Sequence, residues 1–105
     1  IIGDPEISKE WIAKWEARDR STLQAPMETL LFRDDITDRV GEIDCPVLII
    51  HGEEDQAIPM EAAEERVDPL SDCRGGVKVP RAAHAPNMTH PQIVNDAIAS
   101  FLSEI

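Results

Sequence analysis

Asp55 and His84 are the residues whose types and positions best suit acid–base chemistry. Asp55 follows the apolar run Val47-Leu48-Ile49-Ile50 by way of His51-Gly52-Glu53-Glu54. His84 follows a second run, Val77-Lys78-Val79-Pro80, by way of Ala82-Ala83. Each therefore stands just past the carboxyl end of a strand, where open α/β sheets place their ligands. A carboxylate there can hold a histidine in one tautomer and stabilise the imidazolium formed during catalysis. A histidine titrating at about 6.5 is suited to general-base work. For Asp55 the residues leave two readings open: a catalytic acid, or a turn acid capping the segment after Pro59. For His84, the small residues around it and the following Pro86-Asn87 favour a base over a ring tied to a backbone carbonyl.

A nucleophilic triad needs a third member, and this sequence lacks one. Ser8, Ser21, Ser71, Ser100, Ser103, Cys45 and Cys73 are the candidates, and none sits in a glycine-flanked strand-to-helix turn. No GxSxG occurs. His51 closes its strand and reads as a residue satisfying local backbone groups. His90, just before Pro91, reads as the start of a helix. His51, Glu53, Asp55, His84 and His90 are metal-ligating types, but they form no HxH or HExxH spacing, so neither a metal nor a cofactor is expected.

Composition sets the frame. The 105 residues are 42% hydrophobic and 30% charged, ordinary for one small globular domain. A net charge of −11 disfavours nucleic acid, whose phosphates it would repel. No apolar run approaches the roughly 18 residues that cross a bilayer, and no signal-peptide pattern is present, so no membrane association is expected. Cys45 and Cys73 have no CxxC or metal spacing; they read as small apolar residues in a reducing cytoplasm. The chain begins Ile1-Ile2-Gly3 without an initiator methionine, which raises the expectation of a piece of something longer.

The elements that must position Asp55 and His84 follow from periodicity. Asp4-Pro5 is a capped helix start, and Ile7, Trp11 and Trp15 at i, i+4 and i+8 carry the helix to about Arg20. After a break at residues 21–25, Pro26 opens a second helix through Leu30, Leu31 and Phe32. Ile36, Val40 and Ile43 mark a third, short one. From Cys45-Pro46 the character changes. Val47 to Ile50 is continuously apolar, as in a strand covered on both faces of a parallel sheet. Pro59-Met60 opens an acidic helix to about Leu70, Arg74-Gly75-Gly76 is a loop, and residues 76–81 form a second strand. Pro91 opens the last helix, with an apolar stripe of Ile93/Val94, Ala97/Ile98 and Phe101/Leu102.

Helices followed by β-α-β-α predict a single parallel crossover. Two strands alone make a poor parallel sheet, and an apolar strand with open edges invites pairing. The isolated chain is therefore expected to associate, as a homo-oligomer or swapped dimer, unless other residues complete the sheet.

The stretches CPVLIIHGEEDQAIP and VKVPRAAHAPNMTHPQIVNDAIASFL resemble the C-terminal part of α/β-hydrolase-fold enzymes, nearest the capped esterase, lactonase and haloperoxidase-like group. That family carries its acid in an HGxxDxxxP turn after the seventh strand and its histidine in a GHxPxxxxP loop after the eighth. The resemblance implies an α/β fold of which this chain is the C-terminal β-α-β-α portion, with two parallel strands preceded by cap-like helices. It puts the acid role on Asp55 and the base role on His84. Residues 1–44 would be the end of a cap region and the helix before the seventh strand, and residues 45–105 the core segment. Trp11, Trp15, Met27 and Phe32 would be the residues to line a substrate pocket, although each also fits ordinary helix packing. Ala83 replaces the usual glycine and Thr89 stands where an acid is common; neither change removes a catalytic group.

The implied function is the acid–histidine part of a serine hydrolase acting on a small ester, lactone or related acyl compound. The first six strands, oxyanion hole and nucleophile would lie outside this sequence. The alternative is a non-catalytic module, derived from a hydrolase, that self-associates or binds a partner through an open sheet edge.

Overall fold

A computed structural model describes residues 1–65, 67 and 69–105. Helix α1 spans Pro5–Glu16. Its cap is the one the sequence predicts: the Asp4 carboxylate accepts from the Ile7 N–H at 2.9 Å, with Pro5 in the first helical turn. The helix stops four residues short of Arg20. The reason is Asp19, which starts a new turn: its carboxylate accepts from the Ser21 N–H at 2.9 Å, and its carbonyl accepts from the Thr22 N–H. A 3₁₀ turn over Arg20–Leu23 results.

Helix α2 spans Gln24–Phe32 and so begins two residues before Pro26. Proline fits there because the first-turn N–H groups have no partner within a helix. The expected third helix is instead a 3₁₀ segment over Thr37–Glu42. Helices α1 and α2 make little contact with the sheet.

Strand β1 covers Val47–Gly52 and strand β2 covers Cys73–Val79, paired in parallel as a two-stranded sheet. Val47 pairs with Cys73, Ile49 with Gly76, and Gly52 with Val79. Arg74-Gly75-Gly76 is therefore strand rather than loop. The register slips there, with one more residue on β2 than on β1, because pairing with Val47 draws β2 back to Cys73. At its other end β2 stops at Val79 rather than Arg81, since Pro80 has no N–H for the ladder. Val47 to Ile50 are only half-buried, not covered on both faces.

Helix α3, Met60–Glu64, follows β1. It stops short of the expected Leu70: Glu65, Val67 and Pro69 stand in turns, Pro69 having no N–H for a helical bond, while residues 66 and 68 of that run lie outside the described residues. A short helix α4, Pro86–Thr89, which periodicity did not predict, leads into α5, Pro91–Ser103. Helix α5 packs on both strands and buries Val94, while Ile93, Ile98 and Leu102 of the apolar stripe stay exposed. Val79, Ala82 and Val94 form the buried core, with Ile50 and Val77 against them. Val79 and Ala82 place that core at the carboxyl end of β2 and in the loop that leads to His84. The Cα radius of gyration is 16.1 Å, against about 13 Å for a compact domain of this length.

Candidate active site

The loops after β1 and β2 are joined by backbone hydrogen bonds before any side chain is considered. The Glu53 N–H donates to the Val79 carbonyl at 3.1 Å, and the Glu54 N–H donates to the Ala82 carbonyl at 2.9 Å. Gly52 makes this crossing possible: a Cβ there would collide with the carbonyls of Ala82 and Ala83. The two loops thus cross in contact and bring together residues 29 positions apart.

Asp55 sits in that crossing and is 8% exposed. Its two oxygens do different work. Oδ1 accepts from the Ala57 N–H at 2.8 Å and the Ile58 N–H at 3.1 Å, closing the turn that leads to α3. Oδ2 lies 2.8 Å from His84 Nδ1. Burial pushes the Asp55 carboxyl up, but the hydrogen bonds from His84, Ile58 and Ala57 and the His84 charge outweigh it, holding the group below its ordinary value. An ionised carboxylate only accepts, so Nδ1 carries the proton of this bond, and in the neutral ring Nε2 is the basic nitrogen.

His84 is held by its backbone as well. Its N–H donates to the Ile1 carbonyl at 3.0 Å, and Gly3 packs against Ala83. A groove beside the pair is lined by Ile1, Gly3, Glu54, Gln56 and Ala83. No spacing in the sequence marks Ile1 or Gly3 for that position, because the contact is made across the whole chain. The His84 side chain is 41% exposed, open to a substrate or a nucleophile.

Trp11, Trp15, Met27 and Phe32 lie elsewhere. The two tryptophan rings stand 6.0 Å apart on α1, with Lys14 over Trp11. Trp15, Met27 and Phe32 are exposed, and none of the four lines the groove beside Asp55 and His84. Among the described residues, no serine or cysteine is hydrogen-bonded to His84. Ser71 donates to the Ile43 carbonyl, Ser103 donates to the Ser100 carbonyl, and both cysteines are free. No group of three or more His, Cys, Asp or Glu side chains among the described residues is gathered for a metal. No described helix is long and apolar enough to cross a membrane.

No protein-family model matches the chain. A Synechocystis protein named as a non-heme chloroperoxidase is 32% identical over 102 residues, covering 96% of this chain and 36% of that protein. Among solved structures, a thermophilic esterase from Thermogutta terrifontis superposes with a TM-score of 0.66 at 32% identity, over 70% of this chain and 26% of its own. A serine hydrolase involved in carbazole degradation gives 0.71 at 27% identity, over 85% of this chain and 36% of its own. The chain thus spans only 26–36% of the length of these proteins. Its paired parallel strands, their flanking helices and these likenesses match it to the C-terminal part of the α/β-hydrolase fold.

Proposed function

We propose that this chain supplies the acid and the base of a hydrolase triad, with Asp55 orienting His84 and the nucleophile coming from residues outside the sequence. The observation that carries this reading is the 2.8 Å contact between Asp55 Oδ2 and His84 Nδ1, made by a buried acid whose other oxygen is already anchored. With Nδ1–H committed to the carboxylate, Nε2 would accept the proton of an attacking hydroxyl and return it to the leaving group. In this reading the substrate is an ester, lactone or related acyl compound, and the likeness to an esterase supports the ester among these. In the same reading residues 1–44 belong to a cap-side region and 45–105 to the core. The two free cysteines fit the cytoplasm.

The test is hydrolysis of a chromogenic short-chain ester by the 105-residue chain and by a longer polypeptide joining it to a serine elbow. Turnover is expected only in the longer polypeptide, falling by about 10⁴ when Asp55 becomes Asn. Robust hydrolysis by the short chain that survives replacement of His84, or of all five serines, would overturn the proposal. The two-stranded sheet also favours the alternative of a self-associating module, since among the described residues each strand has one edge without a partner strand. A defined dimer in light scattering, abolished by a proline at Ile49, would support that second reading.

A further inference from the structure

His51 is a half-buried titratable group that the acid–base pair leaves unexplained. It pairs with Lys78 on the sheet, and its side chain is 15% exposed. The ring borders a small cavity under α3, beside Met60, Ala63 and Val77. A ring N–H in such surroundings needs a partner. His51 Nε2 has one, the Ile58 carbonyl at 2.9 Å, and a carbonyl only accepts, so Nε2 is the protonated nitrogen. The same Nε2 is 3.6 Å from Asp55 Oδ2.

Ile58 is thereby gripped from both sides. Its N–H donates to Asp55 Oδ1, and its carbonyl receives His51. The turn carrying the acid is pinned at its far end to the strand that precedes it. Without that pin, the Glu53 and Glu54 amides would still tie the start of the turn to Val79 and Ala82 and Oδ1 would still close it, but its far end would lose its tie to β1, and Oδ2 would lose its aim at His84.

We propose that His51 is a positioning residue for the acid: its Nε2–H holds the Ile58 carbonyl and so fixes the Asp55 carboxylate in line with His84. The groups facing Asp55 from packed elements are His84 and His51. Glu53 and Glu54 lie on its own turn, and Glu64 and Lys78 border the cavity that His51 lines.

The inference deepens the triad reading, and its test does not depend on turnover. Two signals would be followed by NMR in the whole chain: the downfield Nδ1–H proton of His84, and the pH midpoint of the Asp55 carboxyl. His51→Gln keeps a donor where Nε2 stands. His51→Leu removes it, and His51→Asn keeps a donor too short to reach Ile58. Gln is expected to retain the His84 proton and the depressed Asp55 midpoint. Leu and Asn are expected to lose the proton and let the midpoint rise toward 3.8, with unchanged far-UV dichroism. Should Leu fail to fold, the Gln–Asn contrast decides. Retention of both signals in the donor-less variants overturns the proposal, and so does their loss in His51→Gln. Loss of hydrolysis in the longer polypeptide with both signals intact would count against the triad reading instead.

Discussion

Replacing Asp55 by Asn isolates the contact on which the site depends. Asn keeps an oxygen where Oδ1 stands, so the bonds from Ala57 and Ile58 survive. Only the other side changes, where an NH₂ would face His84 Nδ1, which can then accept only by giving its proton to Nε2, so the charge-assisted bond and the tautomer it fixes are both lost. A hydrogen bond to a charged group contributes about 1.5–3 kcal/mol. Water reaches a His84 side chain that is 41% exposed, so the lower end applies, about 1.5 kcal/mol. With a urea slope of about 1.5 kcal/mol per molar for a domain of this size, the midpoint should fall by about 1 M.

The pH dependence follows from the sign of the shift. The Asp55 carboxyl lies lower in the folded chain than its ordinary value of 3.8. Its stabilisation is therefore complete above that value and is lost as pH falls through the folded one. Urea unfolding followed by far-UV dichroism, from about pH 7 down to about pH 2, should show parent and variant far apart at neutral pH and converging in acid. Coincident curves at neutral pH would refute the assignment of a charged, load-sharing contact. A gap undiminished in acid would show that the loss is steric and not electrostatic.

Three further substitutions probe what brings the pair together. Gly52→Ala forces a methyl into the Ala82 and Ala83 carbonyls, and should cost 3 kcal/mol or about that in chemical denaturation, at the upper end for overpacking. Gly3→Ala places an L side chain at φ +86 with its Cβ 2.8 Å from that of Ala83; a loss of about 1–2 kcal/mol is expected. The His84 amide resonance should move with it, because that N–H bonds to Ile1. Asp4→Ala removes the cap of α1 and should lower helical dichroism, at a cost of about 1 kcal/mol, without shifting the His84 proton.

How far the sequence carried these conclusions depends on the range of the interaction. The cap at Asp4, the apolar strand from Val47 and the final helix from Pro91 rest on residues within a few positions of one another, and they were legible. The end of α1 was not, because Asp19 competes for the backbone by a side-chain bond that hydrophobic spacing does not register. The start of β2 was not, because the glycines at 75 and 76 read locally as a loop and become strand only by pairing with β1. The 3₁₀ segment over Thr37–Glu42 keeps an α-like apolar spacing without α-helical hydrogen bonding.

For the site, residue types and order were sufficient to single out Asp55 and His84, each just past a strand of one crossover. Whether Asp55 is a turn acid or a partner for histidine was a question only the tertiary structure could answer. It is both, because a carboxylate has two oxygens and the crossing of the loops gives one to the turn and the other to His84. The contacts of His51 and of the Ile1–Gly3 segment likewise belong to the fold alone. Chemical identity is written residue by residue, but the direction of a hydrogen bond is set by backbone that arrives from elsewhere in the chain.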